Sequence, residues 1–372
     1  MLNVYGVTYD HTINYGSCFQ AYALQEAITG MKLSSGEMCS YQLIPVETFR
    51  EARRKHSVLG VLWSPLMALY RTRFATFEKK YMRFAEVQGS DEALPSLNEK
   101  ADVFVCGSDV IWNPSLNHNN RMVFYLTFAT KYKFSYAASF GKAEIDEKTI
   151  SLIREPLSKL DEISVREKTG AELIKRSFDI TAQVVVDPVL LLTRSEWETI
   201  LPKAKKRKGY IFVYITYLSD KVKETVAKLK KATGLKVVCA AWGPKQAMSQ
   251  GVFLCQTPQK WLQLLHDAEY VVTNSFHATV FAVLFRKKLF TVTKHEKNKG
   301  ASIRMNDFLT AVGLEDRIFS VVPEQLDLSE IDYEEVSPKI ETMREQSLEV
   351  LRENVEKAYL QKKNSEPGRS PL

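Results

Sequence analysis

The sequence predicts an α/β protein built as two Rossmann-like parallel-sheet domains facing a cleft. Three observations carry that expectation. Short β-branched and aromatic runs, each ending in a small or polar turn, alternate with helix-length segments along most of the chain, the pattern of a doubly wound parallel sheet. The 372 residues suffice for two domains with a core each, and a composition 45% apolar and 26% charged is that of an ordinary globular chain. Leu192 to Gly209 carries Pro202 and the basic run Lys203, Lys205, Lys206, Arg207 and Lys208, and it divides the pattern into two halves. The expected division is 1–195 for an N-terminal domain with a helical insertion at about 50–90, 196–340 for a C-terminal domain, and 341–372 for a helix packing back and a polar tail.

Taken in order, Leu2 to Thr8 reads as the first strand, without the basic leader and long apolar core of a signal peptide. A polar loop, Asp10 to Ser17, follows it. Cys18 to Gln25 then has apolar residues at helical spacing. This order aims a helix N-terminus into the crevice at the carboxyl edge of the sheet, where open α/β sheets bind ligands. Asn14 and Gly16 are therefore candidate substrate-binding residues, although a glycine needed for helix–strand packing has the same spacing.

Arg50 to Arg83 departs from the pattern. Its apolar piece, Val58 to Leu69, is too short to span a bilayer and has basic flanks. It reads as a helical insertion over the first domain, or as an interfacial segment touching anionic lipid.

Ala101 to Asp109, Lys133 to Gly141, Asp161 to Lys168 and Val184 to Pro188 are further strand-to-turn units, separated by helices such as Ser151–Lys159 and Lys168–Arg176. The second half repeats the scheme. It has strands at Tyr210–Thr216, Lys236–Ala241, Leu289–Val292 and Ile318–Val321, and helices at Lys221–Ala232, Pro258–Ala268 and Ile303–Val312. A Trp242-Gly243-Pro244 turn and a polar loop, Lys294 to Ser302, intervene, and a long amphipathic helix runs from Pro338 to about Gln361.

Tyr270 to Leu284, YVVTNSFHATVFAVL, is the most informative stretch. It reads as a buried strand, a turn of capping residues (Thr273, Asn274, Ser275) and a buried helix with His277 in its first turn. Unsatisfied N–H groups and the helix dipole favour an anion there, and a histidine adds a proton or a positive charge. A core histidine bonded to a carbonyl fits the same pattern.

The net charge of +7, from 51 basic and 44 acidic residues, suits an anionic small substrate or a lipid surface better than duplex nucleic acid. Five scattered cysteines without a C-x-x-C pair read as reduced structural thiols of a cytoplasmic protein. No His/Asp/Glu cluster has metal-ligand spacing, so no metal is expected. No G-x-G-x-x-G follows the first strand, which speaks against a nicotinamide oxidoreductase.

Two α/β domains of similar size with a terminal helix packing back resemble the GT-B architecture, whose site lies between the domains. Asn14-Tyr15-Gly16 with Leu24-Gln25, Gly107-Ser108-Asp109-x-x-Trp112-Asn113, Ser135 to Gly141, Ser164-Val165-Arg166-Glu167, Val186-Asp187-Pro188, Asn274 to Ala278 and Ser302-x-Arg304 together resemble the polysaccharide pyruvyl transferases, from about Val4 to Leu314. The resemblance implies a GT-B-like fold. It also implies transfer of the pyruvyl group of phosphoenolpyruvate to a sugar of a bacterial surface polysaccharide or its lipid-linked precursor, forming a pyruvate ketal. Many members carry an arginine-x-histidine arrangement. Here Ser275-Phe276-His277 stands in that place, so an anchoring arginine must come from elsewhere.

Phosphoenolpyruvate bears a phosphate and a carboxylate, which call for two anion clamps. Arg166, Arg304 and Lys294 are the cationic candidates, with surface or interdomain ion pairs as the alternative. His277 is the candidate acid and Asp109 the candidate base for a sugar hydroxyl, unless Asp109 only caps its own turn. Trp112, Asn113, Ser139, Asn274 and Ser275 complete the candidate binding set. Expected partners are this small-molecule donor and a saccharide acceptor, with no cofactor, no nucleic acid and a peripheral contact at the inner face of the membrane. Two other readings stay open: a nucleotide-sugar glycosyltransferase of the same fold, and a non-catalytic carbohydrate-binding protein of the same pathway.

Overall fold

Parallel strands covered on both faces need apolar side chains at nearly every position, and the central strands of both halves meet that demand, whereas the edge strands do not. In the computed structural model, which describes residues 1–46, 64–87, 91–116, 122–203, 209–217, 219–240, 256–293 and 302–365, the strands form two parallel sheets. The first contains β1 (Leu2–Val7), β2 (Cys39–Leu43), β3 (Val103–Cys106), β4 (Tyr132–Ala138), β5 (Glu162–Val165) and β6 (Gln183–Val184), in the order β2-β1-β3-β4-β5-β6. The second contains β7 (Tyr210–Tyr214), β8 (Lys236–Cys239), β9 (Tyr270–Thr273), β10 (Lys288–Val292) and β11 (Ile318–Phe319), in the order β11-β10-β9-β7-β8. The predicted α/β class with two parallel sheets is the observed one.

The helices are α1 (Tyr15–Thr29), α2 (Ser64–Tyr81), α3 (Glu147–Ser158), α4 (Lys168–Phe178), α5 (Arg194–Thr199), α6 (Asp220–Thr233), α7 (Pro258–Asp267), α8 (Phe276–Leu284), α9 (Ser302–Ala311) and α10 (Tyr333–Ser365). Several bounds differ from the sequence reading for identifiable reasons. The strand β2 is missed because its five residues alternate buried and half-buried along the sheet edge, leaving no apolar run. The expected linker holds α5, closed by a capping box between Thr193 and Glu196. Helix α10 begins five residues before Pro338: Asp332 accepts the Glu334 N–H at 2.9 Å, and Glu334 and Glu335 complement the dipole of the first turn. The Trp242-Gly243-Pro244 turn, Lys294 and the first half of Val58–Leu69 lie outside the described residues.

One apolar core joins the domains. Tyr15 on α1 stacks on Trp261 of α7, with centroids 4.9 Å apart, and Phe19 packs edge-on against Trp197 and Phe281 of α8. Each of these fully buried aromatics contributes about 1.5–3 kcal/mol by leaving water. Helix α10 returns to the first domain: Arg344 Nε donates to the Leu190 carbonyl at 2.6 Å, Ser347 Oγ accepts from Val186 N at 2.9 Å, and Lys357 pairs with Glu162. The carboxyl ends of β3 to β6 therefore face the N-terminus of α8. Among the described residues no helix is long and apolar enough to cross a membrane.

Candidate active site

Asn14 opens the site by capping α1: its side-chain oxygen accepts from Gly16 N at 2.9 Å and Ser17 N at 3.4 Å. A Cβ at Gly16 would overlap the imidazole of His277, so only glycine lets the first turn of α1 touch α8 of the other domain. Ser17 Oγ, freed from capping, donates to Asp109 Oδ2 at 2.5 Å. Asp109 adopts a left-handed φ of 72° and its Oδ1 accepts from Val110 N at 2.8 Å. Just before it, Gly107 has a φ of 120°, and any Cβ there would run into the Tyr136 carbonyl.

Behind Asp109 lies a buried charge cluster drawn from both domains. Arg166, at the exit of β5, donates from Nη1 to Asp187 Oδ2 at 2.6 Å and has 1% of its side chain exposed. Its Nη2 lies 3.9 Å from Asp109 and its Nε 3.7 Å from Glu167, in ion-pair range, but neither nitrogen has a hydrogen-bond partner. His277 Nε2 lies 3.3 Å from Asp187 Oδ2, close enough for charge attraction without hydrogen-bond geometry. Glu167 Oε1 accepts from Ser139 Oγ at 2.5 Å, and Ser139 Oγ also accepts from Gly141 N at 2.9 Å. Phe276, first residue of α8, lies between two guanidinium groups. Arg166 Cζ is 4.4 Å from its ring centroid and Arg304 Cζ, from α9, is 5.7 Å. Arg304 is half-buried, and its Nε is enclosed without a partner.

These surroundings shift the titrations in opposite directions. Burial pushes Asp187 and Asp109 up, but His277 and Arg166 outweigh it and hold both carboxyls below the usual range. Burial of Glu167 wins over its neighbouring cations and raises it. Burial and then the like charge of Arg166 bring Arg304 down to about 10, so both guanidinium groups stay charged at neutral pH.

Arg166, Glu167, Asp187 and Arg304, with Phe276, form one wall of an interdomain cavity of about 400 Å³, whose other walls mix the apolar run Val184 to Val186 with polar and apolar side chains of α9 and α10. The structure thus brings together Asn14, Gly16, Asp109, Ser139, Arg166, His277 and Arg304 from the expected set.

Other members of that set do something else. Trp112 is a core residue, not a wall of the cleft: it is 1% exposed, stacks on Tyr125 and donates its indole N–H to the Phe124 carbonyl at 3.0 Å. Asn113 is buried and accepts from Ser115 N at 2.9 Å. Asn274 does not cap α8. Its Oδ1 accepts from Thr216 N at 2.8 Å and its Nδ2 donates to the Tyr217 carbonyl at 3.0 Å, tying β9 to the exit of β7. Ser275 stands at the cap position without a side-chain cap bond. Asp109, bonded to Ser17 and Val110 and held below the usual range, is a poor base in this arrangement. Sequence reading passed over Glu167, Asp187 and Phe276 as site residues. The position of Asp187 before a proline at a strand exit is a local signal, whereas nothing local marks Phe276.

No curated protein matches the sequence. Among solved structures, the chain is similar to the S. aureus MnaA–UDP complex, with a TM-score of 0.52 and 10% identity over 96% of this chain and 91% of that one. It is also similar to UDP-N-acetylglucosamine 2-epimerase from Rickettsia bellii, with a TM-score of 0.50 and 12% identity over 98% of each chain. Identities this low speak for the fold alone. The sequence itself matches the polysaccharide pyruvyl transferase family model from residue 14 to residue 295, a span holding every residue of the cluster but Arg304, and the chain belongs to that family.

Proposed function

We propose that this enzyme transfers the pyruvyl group of phosphoenolpyruvate to a sugar of a bacterial surface polysaccharide or its lipid-linked precursor, forming a pyruvate ketal. The observation that carries the donor assignment is the pair Arg166 and Arg304. Two guanidinium groups, one from each domain, meet on the ring of Phe276 with enclosed nitrogens that bond to nothing. They repel each other until an anion comes between them. A ligand with a phosphate and a carboxylate offers one anion to each fork. In this reading the anchoring arginines are Arg166 and Arg304, since Phe276 and not an arginine stands at that place before the histidine. His277, 3.3 Å from Asp187 and against the first turn of α1, stands behind this clamp and holds the carboxylate that Arg166 pairs with.

Titration calorimetry tests this reading. Phosphoenolpyruvate is expected to bind the wild type, and UDP-N-acetylglucosamine is not. Arg304→Met should weaken phosphoenolpyruvate by about a hundredfold, the loss of one or two charge-assisted hydrogen bonds. Its thermal stability should not fall, because the change removes a like charge beside Arg166. Binding of the nucleotide sugar with no binding of phosphoenolpyruvate would overturn the donor assignment.

The reading includes a lipid-linked acceptor met at the membrane surface by the basic insertion. Helix α2 exposes Leu69 and has Lys79 and Lys80 in its last turn. The protein is then expected to co-sediment with phosphatidylglycerol vesicles at low salt and to be released as salt approaches about 1 M, where the Debye length is about 3 Å. No sedimentation at low salt would leave the insertion a purely structural element.

A further inference from the structure

Forming a ketal from an enol phosphate requires a proton at the methylene carbon, delivered by an acid that faces the donor. His277 is poorly placed to deliver it. Its Nε2 faces Asp187, its Nδ1 side is pressed against the first turn of α1, and it is absent from the cavity wall on which the two arginines converge. A different acid stands on that wall. Glu167 is 4% exposed and adjoins Arg166 in sequence. It sits at the N-cap position of α4 without capping it, so its side chain is not consumed by its own helix. Ser139 holds Oε1, while Oε2 is enclosed without a hydrogen-bond partner, 3.7 Å from Arg166 Nε, and the residue lines the cavity together with Arg166 and Arg304.

Resting on the pyruvyl-transfer reading, we propose that Glu167 is the proton donor to the methylene carbon of the bound enol phosphate. The atoms balance without any other reactant. The O–H bond at Oε2 breaks as the methylene C–H bond forms, leaving positive charge at C2, next to the phosphate-bearing oxygen. The first acceptor hydroxyl adds to C2, and its proton returns to the Glu167 carboxylate. The second hydroxyl displaces the phosphate, which carries the second proton away. The groups facing Glu167 suit a carboxyl that holds a proton. Arg166 is its chain neighbour, Arg304 and Asp307 approach from α9, and Ser139 bonds it from the exit of β4. Lys168 lines the mouth of the same cavity with its side chain mostly exposed and its ammonium 3.9 Å from Glu172, and Thr169 Oγ1 donates to Asp307 Oδ2 at 3.0 Å. Burial outweighs the two cations and favours the neutral acid, as a proton donor near neutral pH requires.

The test compares Glu167→Gln with the wild type, since glutamine keeps the shape and the bond from Ser139. Calorimetry is expected to show phosphoenolpyruvate binding within about threefold of wild type, because the clamp is intact. Infrared difference spectra of the two phosphoenolpyruvate complexes should show the carbonyl stretch of a protonated carboxyl in the wild type alone. Turnover, read as phosphate release with the cell-envelope glycan fraction as acceptor, should fall about a hundredfold or more. Glu167→Asp should recover part of it. A variant that binds phosphoenolpyruvate and either turns over like the wild type or keeps the same infrared band overturns the assignment of Glu167 and leaves the donor standing. Failure of the wild type itself to bind phosphoenolpyruvate overturns the donor reading, and this assignment with it.

Discussion

His277→Ala is expected to lower phosphate release from phosphoenolpyruvate by about a hundredfold or more, the range for losing a positioned acid or cation. The expectation follows from three contacts. The imidazole lies 3.3 Å from the buried Asp187 carboxylate, it abuts the capped N-terminus of α1, and its own helix begins one residue earlier at Phe276, whose ring carries both arginines. Removing it takes a partner from Asp187, the carboxylate that holds Arg166, and slackens the contact between the domains at Gly16. His277→Gln, which keeps volume and a donor but no ionisable proton, should fall between alanine and wild type. Circular dichroism and a thermal melt establish that each variant is folded. Near wild-type turnover in folded His277→Ala would reduce the residue to a packing element between α1 and α8.

Arg166→Met is expected to destabilise the protein by about 3–5 kcal/mol, the cost of removing one partner from a buried ion pair. Methionine fills much of the same volume, so the loss is electrostatic. Asp187 keeps only His277 and its backbone bond from Val189 N, and Asp109 loses a nearby cation. The pH dependence fixes the sign. Asp187 and Asp109 titrate lower in the folded chain than in the unfolded one. The stability they contribute is therefore present above the ordinary carboxylate range, and it is lost as pH falls through that range, about 4, toward their folded values. Urea denaturation of wild type and variant should accordingly differ most at neutral pH, and the difference should narrow as the pH falls below about 4. A variant as stable as wild type at pH 7 would show that the pair adds nothing net to folding. Arg166 contrasts here with Arg304, whose removal is expected to weaken donor binding and spare stability.

By itself the sequence determined the class of fold, because strands buried on both faces and helices with one apolar side announce themselves by local composition. It also placed His277 in a first helical turn, and Asp109, Ser139 and Arg166 at strand exits, since turn chemistry is written in adjacent residues. Only the tertiary structure decided which of these act together. Trp112 reads like a cleft residue next to Asn113, yet its indole finds a carbonyl twelve residues away and stays in the core. Asn274 reads as a cap, yet it reaches across to the exit of β7. Gly16 reads as a loop glycine, and its reason is an imidazole 261 positions on. Phe276 is indistinguishable from any apolar helix residue until Arg166 and Arg304 arrive on its ring from two domains. Glu167 is one more acid at a helix start until the fold buries it on the cavity wall with one oxygen enclosed. Electrostatics and desolvation depend on distance through space, and the domains bring together groups that sequence spacing keeps far apart.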